Sequence, residues 1–316
     1  MRIIFMGTPD FAVPTLRTLA ESKEHEVVAV YTQPDKPKGR GHAMQFTPVK
    51  ETALEYNIPV YQPIKVRETE YIDEIRALHP DVIIVVAYGQ LLPKELLNIP
   101  PHGCINVHAS LLPKYRGAAP IQFAILGGET VTGVTAMLMD VELDTGDMLK
   151  TVSVPVDAKE TGGSLHDKLC VLGGPLILEV LNDISNGTLV RTPQEQAFAT
   201  YCKKLDKAMG KLDFSKGAVE LERLVRGLNP WPTAYTTLDN KLLKIWDAET
   251  VDKINVGKHY DDVSFGTIIK VDKSGLYVKT ACGIFIIKEL QLEGKKRMKT
   301  DDFLRGYQVN EGTILG

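Results

Sequence analysis

The stretch DVIIVVAYG, residues 81 to 89, restricts the fold more than any other part of this chain. Successive side chains of a strand point to opposite faces, so an unbroken run of Val and Ile is apolar on both. Such a strand must be covered on both sides, as in a parallel sheet flanked by helices. Its neighbours have the same texture. RIIFMG at 2–7, HEVVAVYT at 25–32, CINVHAS at 104–110 and GVTAMLMD at 133–140 are further short apolar strands. Helical patterns lie between and after them: FAVPTLRTLAES at 11–22, FTPVKETALEYN at 46–57, EYIDEIRALH at 70–79, PIQFAILGG at 120–128 and SLHDKLCVLGGPLILEVLNDI at 164–184. Thr47 is placed to cap its helix, with Pro48 at the first helical position. The alternation predicts an α/β domain over residues 1–189, a doubly wound, mostly parallel, Rossmann-like sheet.

Past Gly187 the texture changes. TLVRTPQEQAFATYCKKLDKAMG, residues 188–210, has no clear strand, and 190–207 is expected to be a linker. AVELERLVRGL, at 218–228, is a helix that the two prolines of NPWP stop at 229–232. AYTTL, KLLKIWDAET, FGTIIKVD, GLYVKT and IFIIKELQL then alternate as short strands, with turn signals such as DKSG between them. They predict a second domain over 208–316, a small antiparallel barrel or sandwich. At 316 residues the chain has the length for two cores.

Composition excludes several classes. Apolar residues make up 44% and charged residues 24%, ordinary for a soluble protein. No apolar run reaches the roughly 18 residues of a membrane span, and MRIIFMGTPD has no small-residue cleavage site. A cytoplasmic protein without membrane contact is expected, and a monomer. Cys104, Cys170, Cys202 and Cys282 are widely scattered, and the seven histidines show no ligand spacing, so reduced thiols and no metal are expected. Residues 1–190 carry 16 Lys and Arg against 23 Asp and Glu, whereas residues 191–316 carry 21 against 17. The positive second half hints at an anionic partner, although a solvated surface has the same balance.

The candidate chemistry gathers at the strand ends. MGTPDFAVP has one Gly where a dinucleotide fingerprint needs three, and Pro9 removes an N–H donor, which counts against nicotinamide cofactors. In CINVHAS the period of two puts Asn106 and His108 on one face. An amide can stabilise an oxyanion and an imidazole can exchange a proton near neutrality; both residues are equally compatible with hydrogen-bonded structural roles. The following SLLPKYRGAAP fixes its backbone at Pro113 and frees it at Gly117, as a ligand-binding loop does. MDVELDTGDML crowds Asp140, Glu142, Asp144 and Asp147 around Thr145 and Gly146, and a carboxylate there can orient an imidazole. QPDKPKGRGHAMQF sets Lys36, Lys38 and Arg40 among Pro and Gly, which rules out a regular helix or a central strand. A solvated loop is the plain reading of that run.

GTPDFA at the first turn, QPDKPKGRG at 33–41, NVHASLLPKYRGAAP at 106–120, DTGD at 144–147 and RGLNPWPTA at 226–234 together resemble the folate-dependent formyltransferase family, in order and over nearly the whole chain. The resemblance implies transfer of the formyl group of 10-formyltetrahydrofolate to an amine. NPWP and the C-terminal barrel are similar to the tRNA-acting branch, whose amine is the α-amino group of methionine charged on initiator tRNA. By position, Asn106, His108 and Asp144 would be catalytic. Ser110, Leu111, Leu112 and Pro113 would line the folate site, and the backbone of Ala87, Tyr88, Gly89, Gln90 and Leu91 would receive the pterin. Lys36, Lys38 and Arg40 would enter the acceptor end of the tRNA, and an OB-like second domain would grip it. Rival readings are a family member acting on an amino sugar or on glycinamide ribonucleotide, a deformylase, a nicotinamide oxidoreductase and a non-catalytic RNA-binding protein.

Overall fold

The computed structural model describes residues 1–38, 43–253 and 262–316; Arg40 lies outside the described residues. Two compact units are present. The first takes Met1–Pro120, Val131–Pro155 and His166–Cys202, and the second takes Ile121–Thr130, Val156–Leu165 and Lys203–Gly316. They are interleaved along the chain, whereas the sequence reading drew consecutive segments.

The first unit is built on a seven-stranded sheet in the order Met148–Pro155, Val131–Leu138, Cys104–His108, Val82–Val86, Arg2–Gly7, Glu26–Tyr31, Val60–Tyr61. The five strands from Cys104–His108 onward are parallel, Val131–Leu138 runs against them, and Met148–Pro155 pairs antiparallel to Val131–Leu138. All five residues of Val82–Val86 are buried, as the two-sided apolar run requires. Ile4, Met6, Ile83 and Val85 pack with Ile75 and Leu96, while the alternate residues Ile3 and Phe5 are equally buried. The chain starts mid-sheet, builds outward through Glu26–Tyr31, then returns to the other side of its first strand. The order therefore reverses between Arg2–Gly7 and Val82–Val86, and a crevice opens at the carboxyl ends of strands at such a reversal.

Two local departures from the sequence reading matter. The helix expected over 164–184 is two helices, Gly162–Cys170 and Gly173–Asn186. The whole span is long and apolar enough to cross a membrane by composition, yet Leu176, Ile177, Val180 and Leu181 are buried in the first unit. Its Gly173 and Gly174 lie so close to the Val13–Ala20 helix that a Cβ on either would strike Thr15 or Thr18. The second departure is the expected linker. Thr192 bridges Met148, and Tyr201–Cys202 pairs in parallel with Arg116–Gly117. A polar segment without periodicity is fastened to the rest of the first unit by a few backbone bonds, which pattern reading does not register.

In the second unit the antiparallel strands run Ala234–Leu238, Lys241–Val251, Ile284–Leu292, Gly275–Lys279, Ile268–Asp272, with Met298–Lys299 also on Ile284–Leu292. Asp239 and Asn240, both at positive φ (49° and 59°), make the tight first hairpin. Leu221 and Val225 of the Ala218–Gly227 helix enter the same core as Leu243, Phe285 and Leu290.

Candidate active site

Asn106 and His108 end the Cys104–His108 strand, beside Val85 on one flank and the Met137 and Thr135 positions on the other. The shared face predicted from the period of two places Asn106 half-buried, with no hydrogen-bond partner for its amide among the described residues, and His108 buried at 6% exposure. His108 Nε2 lies 2.9 Å from the Tyr115 carbonyl oxygen. A carbonyl only accepts, so Nε2 carries the proton. Nδ1 then faces Asp144 Oδ2 at 3.7 Å. That oxygen accepts the Gly117 backbone N–H at 2.8 Å, and Asp144 itself is held at a positive φ of 54°. The structure thus brings His108 and the later aspartate together.

The connecting loop is secured at each step. Ser110 is fully buried, and its hydroxyl donates to the Lys114 carbonyl at 2.6 Å. Thr135 Oγ1 donates to the Ser110 carbonyl and accepts from Leu112 N–H. Ser110 and Leu112 are therefore spent inside the loop; of the four residues expected to line a folate, only Leu111 and Pro113 keep partial exposure. Along 87–91 the side chains alternate in the same way. Tyr88 sits in the core, where burial pushes its phenol well above the ordinary range, and Gln90 bonds the Val66 N–H and Pro63 carbonyl. Ala87, Gly89 and Leu91 are exposed, with Ala87 and Gly89 at positive φ. What faces solvent there is the Ala87 methyl, the Gly89 backbone and the Leu91 side chain, 81% exposed.

The bonding behind Asp144 was not foreseen. Gln194 donates its amide to the Asp144 and Gly146 carbonyls at 2.9 and 2.7 Å. Its oxygen accepts Arg116 Nε at 3.0 Å. Arg116, 1% exposed, also donates to Gln196 Oε1 and to the Tyr201 hydroxyl, which holds that phenol below its ordinary pKa. Only the freedom of Gly117 signalled any of this in the sequence. Gln194, in a stretch without period or catalytic chemistry, gave no signal.

The basic stretch stands apart. Lys36–Lys38 and Ala43–Gln45 pair as a separate two-stranded antiparallel ribbon. At its base Lys50 Nζ contacts Asp35 Oδ2 at 2.5 Å and Gln62 Oε1 at 2.7 Å. Burial raises the Asp35 pKa, but the Lys50 and Gln62 hydrogen bonds outweigh it and leave the carboxyl below its usual value. Among the described residues no group of His, Cys, Asp and Glu is placed to hold a metal ion.

A model of the formyl transferase family matches residues 1–181, and one of the formyl transferase C-terminal domain matches residues 204–308. The chain is 53% identical to the methionyl-tRNA formyltransferase of Agathobacter rectalis, covering 100% of this chain and 99% of that one. It is 50% identical to the protein of the same name from Lachnospira eligens over the full length of both. Among solved structures, the sugar 3N-formyltransferase WlaRD, determined with dTDP and 5-N-formyl-THF, superposes with a TM-score of 0.66 at 19% identity, over 94% of this chain and 99% of that one. An N-formyltransferase from Helicobacter canadensis, in complex with folinic acid and dTDP-3-aminofucose, gives 0.66 at 17%, over 90% and 98%. At those identities the structures speak for the fold. Relatives spanning the whole chain at half identity speak for descent, and the chain belongs to the formyl transferase family.

Proposed function

We propose that this chain transfers the formyl group of 10-formyltetrahydrofolate to the α-amino group of methionine carried by initiator tRNA, for translation initiation in the cytoplasm. The observation that carries the reading is the His108–Asp144 pair at the sheet's carboxyl edge, with Asn106 on the same strand face. A neutral amine attacks the formyl carbon, and negative charge develops on the formyl oxygen in the tetrahedral intermediate. The Asn106 amide supplies a donor for that oxygen. Both nitrogens of His108 face protein acceptors, Tyr115 O and Asp144 Oδ2. When protonated, the ring is an oriented positive charge beside the oxyanion, and the proton of the attacking amine passes to N10 of the folate through solvent held by Asp144. The pterin lies along the exposed backbone of residues 87–91, with Leu111 and Pro113 at its edge.

The tRNA contacts belong to the same proposal. Lys36, Lys38 and Arg40 reach the acceptor end, and the second unit, an OB-like module, grips the tRNA with its positive surface. The protein acts as a monomer. Incubation with methionyl initiator tRNA and fresh 10-formyltetrahydrofolate, in EDTA, should yield formylmethionyl-tRNA. Absence of product there, with product on a nucleotide-linked amino sugar, would move the chain to the sugar-acting relatives.

A further inference from the structure

Of three consecutive residues, the outer two touch the catalytic pair and the middle one reaches it through another side chain. The Tyr115 carbonyl accepts the hydrogen bond of His108 Nε2–H. The Gly117 amide holds Asp144 Oδ2. Between them the Arg116 side chain, 1% exposed, runs to Gln194. Among the described residues its guanidinium meets only neutral acceptors: the oxygens of Gln194 and Gln196 and the Tyr201 hydroxyl. A buried cation without a carboxylate is expensive, so a contribution to stability is a poor reason for an arginine there. The geometry offers another reason. The Arg116 Nε–H bond settles which end of the Gln194 amide faces the guanidinium, its oxygen, and leaves its nitrogen toward the backbone of 144–146. That nitrogen then bonds the Asp144 and Gly146 carbonyls, on a residue whose positive φ needs outside support.

We propose that Arg116 and Gln194 are positioning residues: together they hold the Asp144 carboxylate against His108, and the 192–202 segment is the strap that delivers Gln194 to that place. The inference rests on the proposed formyl transfer for its kinetic readout alone.

The decisive variant is Gln194→Glu. It keeps an acceptor for Arg116 but replaces the donor to the two carbonyls with an oxygen, so a role confined to neutralising Arg116 would leave it as good as wild type. The expected result is a fall in kcat on the order of 10–10²-fold, as a misplacement of about 1 Å produces, with KM for both substrates nearly unchanged. Its kcat–pH profile should move in the same direction as that of Asp144→Asn. In an Asp144→Asn background the same change should cost far less than in wild type, because residues acting as one unit are not additive. Hydrogen exchange at the Gly117 amide should quicken in Gln194→Glu, and that readout needs no substrate. If wild type fails to formylate tRNA, the functional reading falls while Gly117 exchange still tests the strap. Arg116→Met should repeat the kinetic pattern; if it does not fold, the Gln194 variants decide alone. Wild-type kcat and unchanged Gly117 exchange in Gln194→Glu, or equal costs in both Asp144 backgrounds, would overturn the proposal.

Discussion

The 104–117 stretch and the ribbon of Lys36–Lys38 and Ala43–Gln45 both set polar side chains beside a proline, and both stand out in the sequence as functional candidates. They are built in opposite ways. In the first, His108, Ser110 and Arg116 are buried and each is hydrogen-bonded to a named backbone or side-chain group. In the second, order comes from one half-buried corner, Lys50 with Asp35 and Gln62, and Lys36 and Pro37 beyond it are exposed. Chemistry on a developing charge demands groups fixed before the substrate arrives, since reorganisation during the reaction costs rate. Contact with a polyanion demands only cations that can reach it. The contrast teaches which substitutions should act on kcat and which on KM.

The largest expected effect tests the fixed region. His108→Ala should lower kcat by on the order of 10²–10⁴-fold, and because the ring is buried and bonded it should also lower Tm, which a side chain merely facing a crevice would not. A thermal melt beside the kinetics separates the two. Asn106→Ala should cost on the order of 10²–10³ in kcat; its half-exposed amide makes no bond among the described residues, so the melt should not move. Equal losses of Tm in both variants would break the distinction between a wired imidazole and a free amide.

Gly117→Ala sharpens it from the backbone side. At φ of 113° an added Cβ would run into the Cys202 carbonyl, so the pairing of Arg116–Gly117 with Tyr201–Cys202 must open and Asp144 must lose its amide donor. We expect lower stability and lower kcat together, read by denaturant unfolding and single-turnover assays. Lys36→Ala, on the ribbon, should leave kcat nearly intact, raise KM for tRNA a few-fold, and flatten the dependence of log K on log salt by roughly 0.7 to 0.9 if one phosphate contact is lost. An unchanged slope would return the ribbon to a solvated surface.

The smallest effect is on acid stability at the ribbon's base. The Asp35 carboxyl titrates below its ordinary value in the fold. Its contribution is therefore fully present above the unfolded value and is lost as pH falls through the lower folded one. Trypsin cleavage after Lys36 is blocked by Pro37, so opening is best followed by exchange of the 33–38 amides. These should quicken in Asp35→Asn at neutral pH, and in wild type only in strong acid.

Much of this was readable in the residues. The two-sided run at 82–86 implied the covered parallel sheet, and the spacing of Asn106 and His108 implied their common face. Asp144 could be named by resemblance because its motif is local. Gln194 could not: its significance lies in a bond across 50 residues to a carbonyl, and carbonyls carry no sequence signature. Nor could the burial of Ser110, whose hydroxyl looks available until its loop is closed on Lys114. Patterns report faces and periods; they are silent on which single polar atom ends up opposite which.

The strap has a consequence for the order in which the protein is made. A ribosome releases the sheet strands from Arg2–Gly7 to Met148–Pro155 well before it reaches residue 202. A nascent chain ending near residue 190 would own His108, Asp144 and Gly117 but not Gln194 or the Tyr201–Cys202 pairing. The bonds that Gln194 and Tyr201–Cys202 make behind the His108–Asp144 pair are thus among the last of the first unit to form during synthesis, when the sheet is already complete.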